Sequence, residues 1–274
     1  MPDDPGAAFR ALHRPGDPFV MPNAWDRGTA RLLAGLGAPA IATTSAGFAF
    51  TLGLPDGGHV TRDQALAHAA DLAAAVAVPV SADLENGYGD DPEDVAETIR
   101  LAADAGLAGA SIEDIALPAA DAYPRGLAVE RVRAAAATAR ALDRGFVLTA
   151  RADGLLTGAY DMDEALARLR AFAEAGADCL YVPGVPDAPA LRAVCAATPL
   201  PVNALATGAF VNLSRGDFGA LGVARISLGA GLARLAQAAA VEGAQAALAG
   251  DFASLGWAAT GAAIDPIVAR GARR

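Results

Sequence analysis

The chain contains no lysine: all 21 of its basic residues are arginine. That excludes a Schiff-base lysine, a pyridoxal-phosphate attachment lysine and the lysine of a phosphate-binding P-loop. Cysteine is nearly absent, and Cys179 and Cys195 form neither a disulfide framework nor a CxxC pair, so both are expected to be buried thiols. The three histidines, His13, His59 and His68, are scattered without metal-ligand spacing. There is no basic run, and the net charge is −10, which argues against nucleic acid and anionic membrane surfaces as partners. No basic segment followed by an apolar run opens the chain and no stretch is built to span a membrane, so a cytoplasmic protein is expected.

What is present is apolar and repetitive. Hydrophobic residues make up 54% of the 274 positions and charged residues 19%, ample for one large core. After a polar opening, Met1 to Pro18, with a short helix expected at Ala7–Leu12, one unit recurs: a short apolar strand, a loop, an Ala/Leu/Arg-rich helix. Strands are expected at Phe19–Pro22, Ala38–Thr43, Val78–Asp83, Ala108–Glu113, Phe146–Ala150, Asp178–Val182, Pro201–Ala204 and Ala224–Ser227. Helices are expected between them, with Asp91-Pro92 starting one and Gly106 and Gly176 ending two others. Strands alternating with helices pair in parallel through right-handed crossovers. Eight such units without a GxGxxG turn favour a (β/α)8 barrel over a doubly wound sheet. One domain, 1-274, is expected, with 251-274 as a helical extension whose apolar face (Ile264, Ile267, Val268) packs on its own barrel or on a second subunit.

In such barrels chemistry gathers at the C-terminal ends of the strands. Those ends are polar here: Asn23, Trp25 and Asp26; Thr43 to Gly47; Asp83 and Glu85; Ser111, Glu113 and Asp114; Arg151 and Asp153; Asn203. Strand parity places Ser81, Asp83 and Glu85 on one face. Carboxylates so placed repel unless something positive lies between them, and Asp83, Glu85 and Glu113 suit a hard cation such as Mg2+, or Mn2+. The planar fork of Arg151 matches a carboxylate or phosphonate, and Ser45-Ala46-Gly47 can offer backbone N–H groups to the same anion. Together they describe a site for a small 2-oxo or 2-hydroxy acid chelated to a metal that stabilises an enolate. Each residue also has a plainer reading: the acids as helix caps, Arg151 as a partner of Glu113, Asn23 and Trp25 as packing at a turn. The coincidence over five strand ends outweighs these.

Six motifs, in this order, resemble the isocitrate lyase/phosphoenolpyruvate mutase superfamily: PNAWD at Pro22–Asp26, TTSAG at Thr43–Gly47, LPD at Leu54–Asp56, DLENGYG at Asp83–Gly89, IED at Ile112–Asp114 and TAR at Thr149–Arg151. The resemblance implies a Mg2+-dependent barrel acting on 2-oxo acids or substituted malates and citrates, as a homodimer or homotetramer that exchanges its C-terminal helix. It implies Asp83 on the metal, with Asp56, Glu85 and Glu113 on its waters. Ser45, Gly47, Arg151 and Asn203 would hold substrate. Two family features are missing. The loop after the third strand, Asp83–Asp91, lacks the lyase Lys-Lys-Cys-Gly-His sequence, and Ile115–Arg125 lacks the mutase lysine and asparagine.

The expected function is therefore Mg2+-dependent cleavage of a C–C bond next to a 2-oxo group, most simply oxaloacetate-type decarboxylation. Asp56 and Arg151 form the expected catalytic set, with Tyr123 or Asp121 as a candidate to protonate the enolate. The alternatives are a phosphonate mutase or hydrolase, and a barrel that binds a metal-chelated acid without turning it over.

Overall fold

The computed structural model describes residues 4–272. Ten short strands appear in chain order: β1 (Phe19–Met21), β2 (Ile41–Ala42), β3 (Val80–Asp83), β4 (Gly109–Glu113), β5 (Ile115–Ala116), β6 (Asp121–Ala122), β7 (Val147–Arg151), β8 (Cys179–Tyr181), β9 (Val202–Leu205) and β10 (Arg225–Ser227). Eight of them form one parallel sheet in the order β1-β10-β9-β8-β7-β4-β3-β2. The two ends of that sheet meet through a parallel bridge between Asn23 and Ala42. There Ala24 N–H donates to Ala42 O over 2.8 Å, and Ala42 N–H to Pro22 O over 3.0 Å. The molecule is thus a (β/α)8 barrel, as expected, with all eight anticipated strands present, six of them shortened and β7 and β9 shifted by one residue.

The helices follow the capping chemistry. Asp161 accepts from Glu164 N–H at 3.0 Å and starts Met162–Ala175, which Gly176 ends in the left-handed region, φ 106°. Three elements escaped the strand–helix repeat. A helix spans Ser45–Thr51 directly after β2, a one-turn helix spans Gly154–Thr157 after β7, and β5 and β6 pair as an antiparallel hairpin in the loop after β4. The helix after that hairpin spans Arg125–Arg140.

Two apolar regions support the barrel. The larger lies between barrel and helices; the smaller closes the barrel's lower end with Phe9, Phe19, Met21, Val147 and Cys179. Phe9 belongs to the helix Pro5–Leu12, which crosses beneath the strands. That helix approaches so closely that a Cβ on Gly6 would lie 1.7 Å from Gly145 O. With the lower end plugged, the polar strand ends at the other side are the open face.

The C-terminal part divides in two. The final helix, Gly261–Gly271, packs on Arg27–Gly35 of the same chain, where Arg270 Nε donates to Gly35 O at 2.8 Å. The helix Gly231–Leu248 touches the barrel at its first turns only, and beyond it Leu248 and Trp257 are 90% and 91% exposed. The segment that stands off this barrel is therefore roughly the second half of that helix and the turn after it, while the final helix of the expected 251-274 extension packs on its own barrel. Among the described residues no helix is long and apolar enough to cross a membrane.

Candidate active site

A cavity of about 550 Å³ opens at the C-terminal ends of the strands. Asn23, Ser45, Ala46, Asp56, Asp83, Arg151 and Asn203 all line it. The strands bring these side chains together from distant stretches of chain, because β3, β4 and β7 lie side by side with Asp83 opposite Ser111 and Glu113 opposite Arg151.

Arg151 is the centre of charge. Its Nη1 donates to Asp83 Oδ1 at 2.9 Å and lies 3.0 Å from Glu113 Oε1. Its Nε and Nη2 form a fork with Asp153, at 3.1 and 2.6 Å. The bidentate face anticipated for a substrate carboxylate is thus occupied by Asp153. Burial works against the guanidinium's charge, but Asp153, Glu113 and Asp83 outweigh it and hold the charged form firmly. The ring of Tyr181 lies 5.2 Å from the guanidinium carbon.

The remaining acids are under-compensated. Burial pushes Glu113 well above the ordinary carboxylate range, and only partly does Arg151 oppose this. Burial, then the neighbouring Asp83, raises Asp56. Glu85 is pushed up to about 7 by burial, with Asp83 and Asp56 adding repulsion. One oxygen of Glu85 accepts from Gly58 N–H at 3.2 Å; the other, Oε2, is buried without a partner. Glu85 does not reach this position by strand parity. β3 ends at Asp83, Leu84 turns into the core, and Glu85 sits in the left-handed region at φ 48°. Such backbone strain in a non-glycine residue is a mark of functional turns.

The Ser45–Thr51 helix supplies one donor residue, Ser45, rather than a cradle. Ser45 N–H and Oγ both reach Asp83 Oδ2, at 3.2 and 3.0 Å, whereas Gly47 N–H is taken by Thr44 Oγ1 at 3.3 Å as a helix cap. Gly47 lies against the Cβ of Trp25, which is not among the residues lining the cavity and whose carbonyl oxygen accepts from His68 Nε2 at 2.9 Å. Trp25 therefore packs at the turn.

Tyr123 is likewise elsewhere. Its hydroxyl donates to Asp90 Oδ1 at 2.6 Å and accepts from Asn86 Nδ2 at 2.9 Å, with Arg131 stacked on its ring at 4.2 Å. It ties the hairpin loop to the β3 loop outside the cavity. Asp121 lies on the exposed edge of the hairpin. Asp114 holds the framework: it accepts from Asp153 N–H at 2.7 Å, Tyr160 Oη at 2.8 Å and Arg168 Nη1 at 2.9 Å. Residues missed from sequence are Arg225, Ser227 and Arg234, which line the wall opposite the acids. Only parity along β10 signalled the first two.

The donor set fits a divalent cation. Of Asp56, Asp83, Glu85 and Glu113 only Asp83 and Glu113 reach a guanidinium among the described residues, that of Arg151, and the buried Glu85 Oε2 lacks any partner. Among the described residues no three acids or imidazoles are spaced to enclose an ion by direct contact. Mg2+ characteristically keeps several waters, so this spacing suits it.

Residues 9–248 match the family model described as phosphoenolpyruvate phosphomutase. A solved structure from Burkholderia cenocepacia J2315, described no further than as a lyase/mutase, is 50% identical and superposes with a TM-score of 0.89 over 95% of this chain and 94% of that one. The 2-methylisocitrate lyase of Escherichia coli is 30% identical over 208 residues, 73% of this chain and 69% of its own. The oxaloacetate decarboxylase of Rhodopseudomonas palustris is 35% identical over 158 residues, 55% of this chain and 53% of its own. The motifs, the barrel and these matches agree: the chain belongs to the phosphoenolpyruvate mutase family within the isocitrate lyase/phosphoenolpyruvate mutase superfamily, whose members are lyases and mutases.

Proposed function

We propose that the protein is a Mg2+-dependent lyase that cleaves a C–C bond next to a 2-oxo group, with oxaloacetate decarboxylation as the simplest form. The observation that carries this reading is that Arg151 bridges Asp83 and Glu113 while two neighbouring acids, Asp56 and Glu85, have no cation in contact among the described residues, with Glu85 Oε2 buried and unpartnered. Asp83 would hold the ion, and Asp56, Glu85 and Glu113 its waters. When bound, the ion supplies Lewis-acid stabilisation of the enolate oxygen.

The chain's own residues do the rest. Arg151 ties Asp83 and Glu113 to one guanidinium and so fixes the two carboxylates relative to each other. Ser45 fixes the second oxygen of Asp83 through two donors, so the carboxylate cannot rotate. Asp114 and Arg168 hold Asp153, which orients Arg151. Decarboxylation requires no base to take a proton from a hydroxyl, which suits a cavity lined by neither cysteine nor lysine. The relatedness to an oxaloacetate decarboxylase supports the same choice.

The test is an NMR screen with Mg2+ of oxaloacetate, 2-methylisocitrate, 2,3-dimethylmalate and phosphonopyruvate. The expected product is pyruvate from oxaloacetate. Succinate would instead indicate methylisocitrate cleavage, and released phosphate a phosphonate reaction. Saturable binding with no product from any of them would contradict an enzymatic role on these acids.

We further propose that a second copy of the chain covers the exposed stretch holding Leu235, Val241, Leu248, Phe252 and Trp257. Light scattering coupled to gel filtration is expected to give a dimer or tetramer; a monomer at micromolar concentration would contradict it.

A further inference from the structure

Arg151 spends its fork on Asp153, so the cavity's spare positive charge lies elsewhere. Arg225 projects from β10 into the barrel beneath the cavity and is only 3% exposed. Its Nε donates to Asn203 Oδ1 at 2.9 Å, its Nη2 to Thr149 Oγ1 at 3.2 Å, and its Nη1 meets His13 Nε2 at 3.2 Å. Every one of these partners is uncharged, because burial and the guanidinium itself drive the His13 pKa down to about 3. Among the described residues no carboxylate lies within 4 Å of Arg225, and the charged group that acts on it is the like-charged Arg151. Its hydrogen bonds are largely met, but its charge is not. A buried charge without a counter-ion is strongly unfavourable and calls for an anionic partner.

The rest of that wall has the same character. Arg234, at the cavity rim in the first turns of Gly231–Leu248, makes no ion pair among the described residues, though its charge is felt by Asp56. Asn203 Nδ2 donates to Ser227 Oγ at 2.9 Å, and Arg225 secures the other end of the same amide. The cavity is thus divided: Asp56 and Asp83 line one side, and the Arg225 guanidinium, without a carboxylate partner, lines the β9–β10 side with an oriented amide and hydroxyl. A substrate that satisfies both sides carries an oxygen-rich head for the acids and their ion, and a separate anionic group for the opposite wall.

We propose that Arg225 determines specificity for a dicarboxylic substrate. It supplies the charge that draws the second carboxylate to the Asn203–Ser227 wall, and it positions the Asn203 amide with its NH2 toward that carboxylate. This deepens the reading of the cavity as a site for a 2-oxo or 2-hydroxy acid and rests on it.

The test uses two unreactive acids of equal chain length, malate with two carboxylates and 2-hydroxybutyrate with one. Calorimetric titration with Mg2+ present compares wild type, Arg225→Met and Arg225→Lys. Arg225→Met is expected to weaken malate by roughly 30-fold or more, as expected for losing one member of a buried charge pair. Binding of 2-hydroxybutyrate is expected to change by less than about 3-fold, and Arg225→Lys to recover much of the malate loss. Equal weakening of both acids, or undiminished malate binding by Arg225→Met, would overturn the proposal by reducing Arg225 to a barrel filler. If Arg225→Met does not fold, Ser227→Ala is expected to show the same preference in weaker form, and equal effects on both acids would again overturn it. If wild type binds neither acid, the reading of the cavity fails first, and that result is distinguishable from a failure of Arg225 alone.

Discussion

Arg151 Nη1 donates to Asp83 Oδ1 over 2.9 Å, across β4, which separates their two strands. The contact places a cation among acids that would otherwise repel one another, and it sets the first prediction. Arg151→Met leaves Asp83, Glu113 and Asp153 without their buried partner, at a cost of about 3–5 kcal/mol. The melting temperature should fall sharply, and turnover with it. Added Mg2+ should restore more stability to this variant than to wild type. A variant as stable as wild type without metal would show that the acids do not depend on Arg151.

The Glu85 carboxyl gives a pH signature. In the folded chain it keeps its proton up to about pH 7, against 4.5 for an ordinary glutamate. Between those values the folded state binds more protons than the unfolded one, so this group's stabilising contribution is lost as pH rises. The full loss is on the order of 3 kcal/mol. Asp153, raised from 3.8 to about 6 by burial, acts in the same direction at lower pH. Metal-free Glu85→Gln should therefore gain stability relative to wild type as pH goes from 5 to 7.5. A stability difference that stays constant over that interval would show that Glu85 is not buried as described.

Asp114 and Arg168 form a buried pair outside the cavity, 2.9 Å apart, that fixes the Asp153 backbone. Asp114→Asn removes the charge while keeping shape, and should cost roughly 2–4 kcal/mol because Arg168 is left unpaired. Its effect on substrate affinity should be smaller than its effect on melting temperature. A strong loss of affinity in a stable variant would move Asp114 into the site itself.

Tyr123 tests the opposite case. Its hydroxyl is committed to Asp90 and Asn86, so Tyr123→Phe should lose about 1 kcal/mol of stability and leave turnover nearly intact. A hundredfold fall in kcat with normal folding would return Tyr123 to the chemistry.

The barrel was legible because alternation of short apolar strands with capped helices is a local pattern, and all eight strands were found at their stretches. The acids were legible because strand ends are where barrels place chemistry. Glu85 was found for an incomplete reason: it faces the site through a left-handed turn after β3, not through strand parity. The Ser45–Thr51 helix was missed because its N-cap, Thr44, is indistinguishable in sequence from a strand residue. Tyr123 and Trp25 show the limit of adjacency in sequence. Both follow polar strand ends, but the hairpin and the turn that carry them leave them out of the cavity's lining. Arg225 was nearly invisible, since a lone arginine in a short strand gives no sign that its partners are all neutral.

The most direct test of the central claim is a Mg2+ titration of pyruvate formation from oxaloacetate after removal of metal by a chelator, run on wild type and Asp83→Ala. The account predicts no enzymatic rate without metal, a saturable rise with Mg2+ in wild type, and loss of that rise in the variant. Metal-independent turnover, or an Asp83→Ala variant with the same Mg2+ dependence as wild type, would contradict it.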